Sequence, residues 1–328
     1  MTATQAAPVL RRLRALFVSD LHLGYKGADI HALNAMLAAH DVEQIYLVGD
    51  ILDGWKLEKR WYWTQACCDL IDTLMAARRR RVRITLLTGN HDEKLREIVP
   101  TLLRPLILRR FGIRIEERCW HRTASGARLL VTHGDQFDGA LWRGSSKAAD
   151  RLWSWLTEQG PARGGPAAAP RPHRRWSLGR AIARGSAGLA DRYAVTALRQ
   201  VIREGGDGIV FGHSHVPMLE TRDGRWLANC GAWTKPVDGH HSAVAETAEG
   251  RLHLLRWPAS PVPATPPRAA PLRVREPDSA RLIRHIHAFW RPLDPRPEIL
   301  PRQAREILGQ SPLPGDRAAP EASGALSV

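Results

Sequence analysis

Cysteine is scarce. There are four in 328 residues, Cys67, Cys68, Cys119 and Cys230, and no two form a C-x-x-C pair. This excludes a zinc finger or ribbon. It also leaves too few thiols for a disulfide framework in so long a chain, so free thiols and a reducing, cytoplasmic compartment are expected. No run approaches the roughly eighteen apolar residues that a membrane-crossing helix needs. Met1 to Arg14 has no apolar core with a cleavage site, so no signal peptide is expected. Lysine is nearly absent, with 6 against 42 arginines. The net charge of +15 (48 basic minus 33 acidic residues) therefore reflects a coding bias as much as a partner. No internal repeat is visible. No paired aromatics interleaved with basic residues offer a stacking platform, which argues against nucleic acid.

What is present describes a globular α/β chain. Hydrophobic residues make up 44% and charged residues 25%, enough to build a large core. Short apolar runs recur at Leu16–Val18, Ile45–Val48, Ile84–Leu87, Leu129–Val131 and Ile209–Phe211. Each ends at a glycine or a polar residue, as a buried strand does. Helical stretches lie between them, at Asp29–Ala39 and Thr64–Ala77. Strands alternating with helices indicate a layered α/β fold. The domain is expected over 14–257. A basic, tryptophan-containing insert over 139–205 is read as a helical cap, with helical pieces at about 142–157 and 176–204. Residues 258–328 are Pro- and Arg-rich and read as a largely flexible tail, with one amphipathic stretch at Ser279–Trp290.

The five strand ends carry the chemistry. In order they are Asp20-Leu21-His22, Gly49-Asp50, Gly89-Asn90-His91-Asp92, His133-Gly134-Asp135 and Gly212-His213-Ser214-His215. Open α/β sheets bind ligands beyond the carboxyl ends of their strands, so these groups should converge. Carboxylates, imidazoles and an amide oxygen suit Mn²⁺, Fe²⁺ or Zn²⁺, whereas Mg²⁺ or Ca²⁺ would favour oxygen alone. Two such ions can polarise a phosphoryl group and acidify a water. Gly49, Gly89, Gly134 and Gly212 are expected to let the backbone turn sharply beside the ligands.

The series D-x-H, G-D, G-N-H-D, H, G-H-x-H resembles that of the calcineurin-like metallophosphoesterases. The resemblance implies a four-layer αββα sandwich, two β-sheets flanked by helices, here with a helical insert. It implies one metal on Asp20, His22 and His215, a second on Asn90, His133 and His213, and Asp50 bridging them. His91 would be the general acid or a phosphate contact, oriented by Asp92, with Asn90 stabilising charge.

A closer likeness rests on Ser19–Gly24, Tyr46–Trp55, Val131–Asp138, Trp176–Leu178, Asn229 and Trp233. It resembles the UDP-2,3-diacylglucosamine diphosphatase group of lipid A synthesis. That implies hydrolysis of a pyrophosphate bond to release UMP and an acylated glucosamine 1-phosphate. It also implies two divalent ions, Mn²⁺ first and Fe²⁺ or Zn²⁺ as alternatives, in a cytoplasmic enzyme peripheral on the anionic inner membrane. Two departures stand out. The best characterised members carry arginine where this chain has His91. A less characterised branch shares G-N-H-D but usually has an acidic residue where Ala232 stands. Another phosphodiester or nucleotide substrate is the alternative. A basic protein that binds nucleic acid or anionic membrane is a third reading.

Other residues have two readings each. Trp142, Leu152, Trp153, Trp155 and Leu156 would form an apolar face for acyl chains or pack the insert onto the core. Asp53 would bond a ligand histidine or cap a turn. Asp135 and Asp138 are read as supporting residues. His240 and His241 are placed near the site because Trp233 is.

Overall fold

The computed structural model describes residues 12–59, 61–98, 104–137, 195–261 and 272–290. It has eleven strands among the described residues. They are β1 (Arg12–Val18), β2 (Asp41–Val48), β3 (Arg83–Leu87), β4 (Ile113–Glu116), β5 (Arg118–Arg122), β6 (Arg128–Thr132), β7 (Gly208–Phe211), β8 (Met218–Arg222), β9 (Arg225–Asn229), β10 (His240–Glu246) and β11 (Leu252–Pro258). One sheet has six strands in the order β11-β10-β1-β2-β3-β4, and the other has five in the order β5-β6-β7-β9-β8. β1 to β4 run parallel, while β10 and β11 are antiparallel additions.

Helices flank the two sheets. They include α1 (Ile30–Ala39), α2 (Gly54–Leu57), α3 (Gln65–Arg79), α4 (Glu93–Ile98) and α5 (Arg104–Phe111), then a helix over 195–203 and a C-terminal helix, Pro277–Phe289. Side chains in a strand alternate faces, and this alternation builds three cores. Between the sheets lie Ala15 and Phe17 of β1, Tyr46 and Val48 of β2, and Val131 and Val210 opposite them. On the other face, Leu16 and Val18 of β1 and Ile45 and Leu47 of β2 pack against α1 and α3. Beyond the second sheet, Ile209 and Phe211 of β7 meet Ala197, Leu198 and Val201. Helix, sheet, sheet and helix therefore make the four expected layers.

α1 begins where Asp29 accepts a hydrogen bond from Ala32 N, and α3 where Thr64 accepts one from Cys67 N. Such caps satisfy N–H groups that a helix start leaves free. Of the expected insert, only the part from residue 195 is described; Trp142, Trp153, Trp155, Trp176 and the expected helix at 142–157 lie outside the described residues. Within the segment read as a tail, Pro277–Phe289 is helical, and Ile283, Ile286 and Trp290 are buried in the core beside α3. Their helical spacing gives that segment an apolar face that burial stabilises. Among the described residues no helix is long and apolar enough to cross a membrane.

Candidate metal centre

β1, β2 and β3 end side by side, and β6 and β7 end opposite them across the inter-sheet core. Asp20, His22, Asp50, His91, His133, His213 and His215 follow these ends. Three groups of side chains come within ligation distance of each other: Asp20, His22 and His215; His22, Asp50 and His91; Asp50, His133 and His213. The first and third bring together residues of the two ligand sets expected from the sequence, and Asp50 belongs to two of the three groups. Asn90 joins the third, with its Oδ1 3.3 Å from His133 Nε2.

The backbone is bent to aim these residues. Asp20, His22, Asp50, His213 and His215 all have left-handed φ, between 46° and 64°. That region is sparse for residues with a side chain and persists where surrounding structure enforces it. Asp20 N bonds Gly49 O, His22 N bonds Asp50 O, and Trp233 N bonds Asp20 O. The expected role of the glycines divides in two. Gly49 and Gly134 do adopt positive φ. Gly89 and Gly212 do not; they are needed for space, since a Cβ would strike Asp50 Oδ1 in one case and Ser19 Oγ in the other. Asn229 holds the last motif, donating to Gly212 O (2.8 Å) and Ser214 Oγ (3.0 Å) and accepting from Gly231 N.

Ring orientation brings nitrogens to the Asp50 carboxylate, where a cation would sit. His133 Nδ1 lies 3.0 Å from Val48 O. A carbonyl only accepts, so Nδ1 carries a hydrogen, and Nε2 is the nitrogen turned toward Asp50. That Nε2 is 3.4 Å from Asp50 Oδ2. His22 Nε2 sits 3.8 Å from Asp50 Oδ2 and 3.9 Å from Asp20 Oδ1. Both His22 Nε2 and Asp20 Oδ1 are buried without a hydrogen bond, although His215 Nε2 is 2.9 Å from that oxygen. Unpaired buried polar atoms are costly, and a divalent cation would satisfy them.

The charge balance agrees. Burial alone would lower the pKa of His133, but the Asp50 carboxylate outweighs it and holds the ring up at about 10. Burial would raise Asp20, but the His215 charge brings it down to about 2. Asp50 is likewise held well below the usual carboxylate range, against burial, by His133 and His91. The Asp50 carboxylate thus favours positive charge placed beside it. The N and O donor set fits divalent transition ions.

Two expected roles change hands. The carboxylate on His91 is Asp53, not Asp92: Asp53 Oδ1 is 3.2 Å from His91 Nδ1. Asp53 also caps α2 through Lys56 N, as the turn-capping reading has it, and faces the expected ligand His22 Nδ1 at 3.6 Å without a hydrogen bond. Asp92 instead accepts from Ile51 N, Leu52 N and Gly89 N, tying the turns after β2 and β3 together. Burial and the nearby Asp50 push its pKa up to about 6. The separation has a simple cause: three backbone bonds consume the Asp92 oxygens. Trp55 packs on the His91 ring, the ring centroids 4.0 Å apart.

Outside the cluster, Asp135 forms a two-pronged pair with Arg96 at 2.8 and 3.1 Å. Asp138 lies outside the described residues. His241 is near the site only at one remove. It stacks on Trp233 and bonds Asp29 Oδ2 at 3.2 Å, while His240 is exposed and bonds Asp238 O.

The family profile of calcineurin-like phosphoesterases matches residues 13–217. The chain belongs to that family. This makes it a metal-dependent phosphoester hydrolase, and the His/Asp clusters could hold its ions. Solved structures similar to it include an archaeal phosphodiesterase (13% identity, TM-score 0.38, 74% of this chain and 98% of that one). Vacuolar protein sorting 29 from Cryptosporidium parvum is another (12%, 0.36, 74% and 95%). A third is the phosphoesterase Yfce from E. coli (14%, 0.35, 74% and 97%). No curated protein sequence matches the chain.

Proposed function

We propose that this enzyme hydrolyses a pyrophosphate bond, with UDP-2,3-diacylglucosamine as substrate and UMP and acylated glucosamine 1-phosphate as products. The observation that carries the hydrolytic part is the run of three side-chain groups linked through His22 and Asp50, with His91 in the middle one. The substrate rests on the sequence segments Ser19–Gly24, Tyr46–Trp55 and Val131–Asp138, together with Asn229 and Trp233, which resemble the diphosphatase group.

Asp20, His22 and His215 would hold one ion, and Asn90, His133 and His213 the other, with Asp50 shared. When bound, Mn²⁺ or a similar ion supplies Lewis-acid polarisation of the phosphoryl group and acidification of water. The chain's own residues do the rest. Asp53 accepts from His91 Nδ1 and so fixes the ring, leaving Nε2 to give a proton to the departing oxygen. The Asn90 amide donates to a phosphoryl oxygen. The enzyme would meet its lipid substrate at the anionic inner face of the cytoplasmic membrane.

Purified protein with Mn²⁺ and UDP-2,3-diacylglucosamine should release UMP, followed by mass spectrometry. Chelator should stop the release and Mn²⁺ restore it, while Asp50→Ala should show none. Retained metal-dependent turnover in Asp50→Ala would sink the site assignment. A second reading, another phosphodiester or nucleotide substrate, is favoured by His91 standing where the characterised diphosphatases have arginine. Cleavage of a generic phosphodiester without UMP release would select it.

A further inference from the structure

The C-terminal helix begins sixty residues beyond the family match, which ends at residue 217. It nevertheless reaches the loop that holds His91. Trp290, at its end, is 2% exposed. Its indole fills the space over Gly54: a Cβ there would collide with Trp290 Nε1 and stand 2.7 Å from the His91 carbonyl oxygen. Gly54 N also donates to that oxygen, at 3.3 Å. On either side of Gly54 stand Asp53, bonded to the His91 ring, and Trp55, packed on it.

α2 has only four residues, too few to be stable on its own, so packing must hold it. The helix that supplies this packing is firmly tied. Asp72 accepts from Arg275 N at 2.8 Å, and Gln65 makes two hydrogen bonds to the Arg273 backbone. Arg79 pairs with Glu276, and Arg110 with Asp278 at 2.9 Å.

We propose that Trp290 is a positioning residue for phosphoester hydrolysis: it wedges Gly54 and so fixes Asp53 and Trp55 around His91. This rests on the reading that His91 delivers the proton. Chemistry is sensitive to such placement, since a shift of about 1 Å can cost about a hundredfold in rate.

The test compares full-length Trp290→Ala and Trp290→Phe with the parent, using Mn²⁺ and 2′,3′-cyclic AMP, a phosphodiester whose alkoxide leaving group needs a proton. Trp290→Ala should lower kcat about 10- to 100-fold with KM within about twofold, and bound metal per chain should be unchanged. Trp290→Phe should recover most of the loss. Imidazole signals of isotope-labelled histidine give a readout independent of turnover: that of His91 should move in Trp290→Ala, and that of the distant His121 should not. If Trp290→Ala unfolds, Gly54→Ala, which puts a methyl group into the same space, should reproduce the kcat loss. Unchanged kcat and an unmoved His91 signal in a folded variant would overturn the proposal. A parent that turns over no phosphodiester while the His91 signal still moves would instead count against the proposed function and leave the positioning role intact.

Discussion

Two of the buried histidine–carboxylate clusters among the described residues are built on opposite terms. In one, Glu246 accepts from Arg14 at 2.8 and 2.9 Å, from Ala124 N at 2.7 Å, and pairs with His121 Nε2 at 2.7 Å. The other nitrogen of His121 is 3.0 Å from the Tyr46 hydroxyl. Every polar side-chain atom of Glu246 and His121 has a partner, and the cluster staples β5 of one sheet to β1, β2 and β10 of the other. In the candidate metal centre, His22 Nε2 has no hydrogen bond, Asp20 Oδ1 has only His215 Nε2 at 2.9 Å, and five residues sit in left-handed backbone. Residue types alone do not separate a structural cluster from a reactive one. Satisfaction and strain do: the first cluster is complete within the chain, and the second leaves buried polar atoms that a cation would satisfy.

The comparison can be broken at either end. The largest effect is expected at the metal centre. Asp20→Ala should lower metal-dependent turnover about a thousandfold or more, while the melting temperature without metal stays level or rises. A marked fall in that melting temperature would show that the cluster is structural after all. Next comes Glu246→Ala, which leaves Arg14 and His121 without their partner. It should cost about 3 kcal/mol or more in urea unfolding, with kcat per folded molecule unchanged.

The smallest effect is in the pH profile. Burial would raise the pKa of Glu246, but its bond to His121, together with Ala124 N and Arg14, holds it below the usual 4.5. A carboxylate lowered in the folded state binds fewer protons there than in the unfolded chain. Its contribution is therefore complete above about pH 4.5 and is lost as pH falls through the folded value. Thermal melts from about pH 6 to about pH 3 should decline less steeply in Glu246→Gln. An unchanged slope would remove this residue from the account of acid stability.

Much of this was legible in the sequence, for reasons that also mark the limits. A buried strand followed by a ligand loop writes itself locally, as apolar residues and then Gly or Asp, so β1, β2, β3, β6 and β7 and their terminal motifs stood out. β8 and β9 did not, because their half-exposed residues blur the alternation. Asp223-Gly224 between them was the available signal, and both take left-handed φ in a two-residue hairpin turn. The exchange of roles between Asp53 and Asp92 was hidden because motif proximity says which residues are near, not which oxygen is already occupied. Trp290 was hidden because it meets Gly54 across more than two hundred residues of chain.

The place of β1 also bears on how the protein is made. β1 is an interior strand whose partners are β2 on one side and β10 on the other. The second partner is synthesised more than two hundred residues later, a delay of roughly 10–45 s at ordinary ribosomal speed. Until then the emerging chain carries an open, apolar strand edge next to Asp20. A factor that shields nascent chains would find its binding site there, and a stalled ribosome would leave that edge exposed to other copies.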